Sequence, residues 1–128
     1  MNRFLQCLCL VSLGCLTLGC GDQGFKPVTG MVTLDGQPAS GVKLVFVPAE
    51  GGRANSMAST DAQGYYSLAY TSQHNGTLPG EYKVLIMKEE SDTGRQLIPP
   101  RYSSGKSTMQ ANVTEDGENV FNFEIESK

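Results

Sequence analysis

This sequence predicts an all-β sandwich, on three grounds. Seven short runs rich in β-branched and aromatic residues recur between residues 28 and 126, separated by glycine, proline and aspartate. Amphipathic helical periodicity is nearly absent from the same stretch. All four cysteines, Cys7, Cys9, Cys15 and Cys20, fall within the first 20 residues of a 128-residue chain. The part that folds must therefore cohere by burial, without a disulfide framework or a thiolate metal site. Its length suits one domain.

The elements follow in order. Residues 28–34 alternate loosely, and Asp35-Gly36-Gln37-Pro38 supplies a turn. Residues 42–47 form a continuous β-branched and aromatic run ended by Pro48, a strand by composition. After a loop over 50–55, a short strand at 56–60 leads to the turn Asp61-Ala62-Gln63-Gly64, and 65–70 brings the chain back. Runs at 82–88, 108–113 and 119–126 complete seven, and seven short strands joined by turns argue for an antiparallel sandwich.

Side chains two apart on a strand share a face. Four inward rows are thus expected: Val42, Leu44 and Phe46; Tyr66, Leu68 and Tyr70; Tyr82, Val84 and Ile86; Phe121, Phe123 and Ile125. On the opposite faces, Val120, Asn122 and Glu124 read as solvated. Lys83, Leu85 and Met87 include two apolar groups that need a cover, for which the long segment 89–107 is expected; its Pro99 and Pro100 forbid a helix running through them.

The first nineteen residues read as a targeting segment. Arg3 supplies a positive start, and residues 4–18 form an apolar run too short for a ~30 Å hydrocarbon core, which takes about 20 residues to span. A cleaved secretory signal fits better than a short membrane anchor, because no stop-transfer charges follow. Leu16-Thr17-Leu18-Gly19-Cys20 resembles a bacterial lipobox, in which the cysteine receives lipid and the leader is cut just before it. Thr17 departs from that pattern, which usually has leucine three residues before the cysteine. Cys15 is a competing site with the same spacing in Ser12-Leu13-Gly14-Cys15. Cys20 is preferred because the polar Gly21-Asp22-Gln23-Gly24 follows it, whereas Cys15 is followed by more apolar leader.

The resemblance implies a signal peptide at 1–19, a lipidated cysteine and tether at 20–26, and a domain over 27–126. The membrane is then held through the lipid anchor, since several acyl chains at ~0.8 kcal/mol per buried methylene bind effectively permanently. The chain from Cys20 onward carries nine Lys plus Arg against thirteen Asp plus Glu, a net charge of −4. That balance gives no electrostatic footprint for nucleic acid.

A second resemblance rests on Asp61-Ala62-Gln63-Gly64-Tyr65-Tyr66-Ser67-Leu68 followed by Pro79-Gly80-Glu81-Tyr82-Lys83-Val84, and on the opening 30–38 with Gly41-Val42. These are similar to the motifs of carboxypeptidase regulatory-like domains, which implies a seven-stranded antiparallel Greek-key β-sandwich of the transthyretin or prealbumin type. Ile98-Pro99-Pro100-Arg101-Tyr102 and Ser107-Thr108-Met109 resemble, more narrowly, small secreted lipoproteins abundant in planctomycete bacteria. The family implies an extracytoplasmic, non-catalytic module, and fold alone does not give function.

Chemistry known in relatives meets the wrong residues here. Transthyretin-like hydroxyisourate hydrolases use several histidines and a carboxy-terminal Tyr-Arg-Gly-Ser, whereas this chain has only His74 and ends Glu126-Ser127-Lys128. Pilin-type relatives cross-link a lysine at the position of Thr33. His74 reads as a solvated loop residue, and Asp61 as a turn cap rather than a calcium ligand. No catalytic residue, cofactor or metal is expected. The partner is an envelope protein or, alternatively, a polysaccharide or small ligand stacked on exposed rings, with Tyr65 and Tyr102 as the contact candidates and Tyr70 behind them.

Overall fold

A computed structural model describes residues 24–105 and 107–128. Cys15, Cys20 and the leader lie outside the described residues. The first strand among the described residues is β1 (Val28–Leu34). Asp35 and Gly36 follow with φ of 51° and 82°, both in the left-handed region that a two-residue type I′ hairpin turn needs. Asp and Gly are the residues that reach it most cheaply, and the turn sets Leu34 opposite Gln37 of β2 (Gln37–Pro38).

The remaining elements are β3 (Lys43–Pro48), β4 (Ser56–Ser59), β5 (Tyr65–Ser67), β6 (Ala69–Thr71), β7 (His74–Asn75), β8 (Gly80–Met87), the single-turn α1 (Pro100–Ser103), β9 (Gln110–Val113), β10 (Asn119–Val120) and β11 (Phe123–Ile125). They form two sheets. One has β1 at its centre, with β10 then β11 along one edge and β5 then β2 along the other. The second runs β7-β6-β4-β3-β8-β9.

Each of the seven expected runs contains strand, and the all-β expectation holds. Two details are corrected. Runs 65–70 and 119–126 are each broken in two, and the pairs at 37–38 and 74–75 add two more, so eleven strands appear among the described residues rather than seven. The sandwich is also mixed rather than wholly antiparallel, because β10 and β11 both run parallel to β1. Alternation tells which face a side chain takes but not which neighbour its strand will find, and the last strands arrive beside the first after an even number of chain reversals.

Both breaks have visible causes. The Leu68 amide donates to the Val28 carbonyl (2.9 Å), ending the pairing with β1, and the next residue, Ala69, already lies opposite Met57 in the other sheet. At the other break, Phe121 N–H donates to Thr29 O (2.9 Å), while the Asn122 side-chain oxygen accepts from Met31 N–H (2.9 Å). An amide side chain thus replaces the ladder bond that the interruption removes. Opposite it stands Gly30, where an added Cβ would lie 1.8 Å from the Phe121 carbonyl oxygen.

The inward rows meet between the sheets. Val42, Leu44, Phe46, Val84 and Ile86 are fully buried, and Phe46 is ringed by Tyr66, Tyr82, Phe121 and Phe123 at centroid distances of 6.0 to 6.4 Å. These separations suit tilted and edge-on aromatic packing. Tyr70 leaves its expected row, because the sheet change at Leu68 carries it to an end of the sandwich. Segment 89–107 does something other than cover the outer row: its buried Ile98 joins the central core. The Ser107 hydroxyl donates to Val84 O (2.8 Å), so the segment runs along the half of β8 that β9 leaves unpaired. Lys83 Nζ donates to Gly105 O (2.7 Å), while Leu85 and Met87 stay half-exposed.

Candidate functional site

Because β3 points Leu44 and Phe46 inward, it turns Val45 and Val47 outward. The ladder register sets Val45 between Met57 of β4 and Leu85 of β8, and Met57 beside Ala69 of β6. An apolar strip four strands wide therefore lies across the outer face of the larger sheet. Val47 and Met87 extend it on the neighbouring rungs, opposite Lys83 and Lys43 respectively. Met57 is 47% exposed, whereas Val45, shielded by its cross-strand neighbours, is only 8% exposed. The strip is thus contiguous and apolar, with Lys83 and Lys43 at its margins.

A second feature is a groove of about 620 Å³ where β3, β8 and β9 end together, lined by Val47, Pro48, Tyr82 and Phe121 with the polar Glu81, Lys83, Gln110 and Asn112 around them. Beside it Arg53 donates to Pro79 O (2.9 Å), its guanidinium 5.8 Å from the centre of the Tyr82 ring. The Tyr82 hydroxyl is engaged as well, donating to Leu78 O (2.6 Å) and lying 3.1 Å from the Thr77 hydroxyl, which accepts from Ser56 (2.6 Å). Every hydroxyl of this network has a hydrogen-bond partner.

The expected ring contacts do not come together. Tyr65 is 56% exposed on β5, opposite Met31. Tyr102 sits in α1, where the Arg101 guanidinium covers its ring at 4.8 Å and its hydroxyl accepts from Glu126 N–H (3.1 Å). Arg101 also donates to the Glu126 and Lys128 carbonyls (3.1 and 2.6 Å). These bonds make Tyr102 part of a clasp on the chain's end, with one ring face already taken.

Asp61 behaves as a cap: its Oδ1 accepts from the Gln63 and Tyr65 amides at 2.9 and 3.0 Å. His74 departs from the solvated-loop expectation. It lies half-buried in β7, with Nδ1 3.0 Å from the Thr71 hydroxyl and its ring 4.8 Å from that of Phe25, which meets Tyr70 at the same distance. This Phe25–Tyr70–His74 cluster has no sequence signature, because Phe25 is far in sequence from the β6–β7 hairpin that carries the other two rings. Asp35 accepts from the hydroxyl and the amide of Ser127 (2.5 and 3.0 Å), which hold its carboxyl below the ordinary carboxylate value.

Among the described residues no group of three or more His, Cys, Asp or Glu is placed to hold a metal ion, and no helix is long and apolar enough to cross a membrane. Compared with known proteins, the chain matches no family model and no curated sequence.

Proposed function

We propose that this protein is a lipid-anchored, extracytoplasmic and non-catalytic β-sandwich of carboxypeptidase regulatory-like type that works by binding another protein of the cell envelope. The observation that carries the binding role is the outer strip of Ala69, Met57, Val45 and Leu85, an apolar strip spanning four paired strands. The lipobox-like leader supports the anchor. The satisfied polar network around Tyr82 and Thr77 supports a scaffold over a reaction centre. In situ cross-linking from a photoreactive residue at position 57 tests the role: a discrete envelope protein should be captured, and Leu85→Asp, which charges the same face, should abolish that capture. An adduct pattern identical with and without the Leu85 change excludes the strip as the contact.

The β3–β8–β9 groove favours a second reading, a sugar or small polar ligand held by Gln110, Asn112 and Glu81 over the Tyr82 edge. Saturable binding of a cell-wall polysaccharide that is lost on Gln110→Ala would support it. Loss on Tyr65→Ala instead would point to the exposed ring of β5.

A further inference from the structure

The geometry points to a lipid-facing end of the sandwich, in which the half-buried rings of Phe25, Tyr70 and His74 rest in the headgroup layer of the membrane that holds the lipidated cysteine. This inference rests on the anchor reading above and adds to it an orientation and a contact surface.

Two observations combine. First, the chain is fastened immediately after Phe25: Lys26 exchanges two backbone hydrogen bonds with Thr77 (2.8 and 3.0 Å), and the Phe25 ring packs at 4.8 Å against both Tyr70 and His74. The point where the tether leaves the sandwich is thus fixed. Second, only Gly21, Asp22, Gln23 and Gly24 separate Cys20 from Phe25. At ~3.3–3.6 Å per residue, even a fully extended link keeps Phe25 within about 18 Å of the lipidated cysteine. With acyl chains in the bilayer, the cysteine sits at the headgroup level, and the aromatic cluster is the first part of the fold within reach.

The chemistry of the cluster suits that place. Tyr and His present apolar bodies with polar tips, the type of ring that settles at membrane–water boundaries. None of the three is deep in the core, and Val120, 53% exposed beside Thr29 at the same end, extends the apolar rim. Glu115, Asp116 and Glu118 lie in the loop joining β9 to β10 at this end, so the contact is not driven by attraction to anionic lipid. A weak contact suffices, because the tether supplies an effective concentration on the order of millimolar. The opposite end, with the Asp35-Gly36 turn, stands about 20 Å further out along the seven residues of β1.

The chain contains no tryptophan, so a single introduced indole reports position alone. Full-length Phe25→Trp, Tyr70→Trp and Gln37→Trp proteins, processed in a bacterial host, are reconstituted in phosphatidylcholine vesicles with brominated acyl chains. The first two should lose about half of their emission relative to unbrominated vesicles, and the Gln37→Trp protein, at the distal hairpin, less than about a tenth. If all three float with the vesicles and the indoles at 25 and 70 are quenched no more than the one at 37, the docked end is wrong while the anchor stands. If the proteins do not float with the vesicles, the anchor fails and the docking fails with it. Using two positions in the cluster guards against one substitution disturbing the local packing.

Discussion

The hydroxyl of Tyr66 reaches from the core to the interruption between β10 and β11, donating to the Phe121 carbonyl over 2.6 Å. Burial raises its pKa well above the ordinary tyrosine value of 10.0. Below that pH the folded and unfolded chains both keep the proton, so the hydrogen bond contributes fully. Above it the unfolded chain releases a proton that the folded chain retains, and stability falls as pH climbs toward the raised folded value. Tyr66→Phe should therefore cost about 1–2 kcal/mol at neutral pH by orphaning the carbonyl, yet its stability should decline less steeply in alkali. Denaturant melts at neutral and strongly alkaline pH check both signs; parallel decline of the two proteins contradicts the mechanism. Phe123 is 5% exposed against Phe46 and Tyr66. Its replacement by Ala should cost ~3–5 kcal/mol, whereas Glu124→Ala on the exposed side of the same strand should change stability by less than about 0.5 kcal/mol. Those two positions were legible from alternation alone. Asn122 was legible only as exposed, because its bond to Met31 N–H depends on a partner strand 91 residues away in sequence.

At the scale of elements, β1 concentrates the long-range pairing of the smaller sheet, since β2, β5, β10 and β11 all hydrogen-bond to it. Its weak point is Gly30, where the interrupted run from β10 to β11 passes so near that a methyl group would overlap the Phe121 carbonyl and crowd the Tyr66 ring at 2.8 Å. Gly30→Ala should consequently push the last strands away from β1, raising amide exchange at Phe121 and Met31 together by at least about tenfold while β3 and β8 stay protected. Gly51→Ala, in an open loop with nothing within 4 Å, should leave exchange unchanged. Strand lengths and faces could be read from sequence because period-two hydrophobicity is local. Pairing could not. The parallel placement of β10 and β11 and the sheet change at Leu68 are decided by long-range contacts that alternation does not encode. The cover expected over Leu85 and Met87 failed for a related reason: composition showed that segment 89–107 had apolar groups to bury, but not that Ile98 would spend them inside the sandwich.

For the whole molecule, the proposed anchor makes the point at which the chain is held the decisive feature. In the proposed reading attachment comes through lipid at Cys20, since the acidic balance of the sequence from that residue onward favours no electrostatic hold on an anionic membrane. Among the described residues the first pairing is Lys26 against Thr77, inside the stretch expected as tether, so in the proposed reading only a short link separates lipid from fold. Cys20→Ala should abolish metabolic labelling with palmitate and leave either an uncut precursor or a product released by another peptidase. Cys15→Ala should do neither, because in this reading that residue is discarded with the leader. The competing assignment makes the opposite forecast: if the Cys15 change removes label and the Cys20 change does not, the link to Phe25 grows by five residues, reaching up to about 36 Å when extended. A link of that length would leave the sandwich room to stand off the headgroup layer. Labelling of the two variants, read beside the quenching at positions 25 and 37, therefore tests the anchor and the orientation as one mechanical system: a short link with a docked end, or a long link without one.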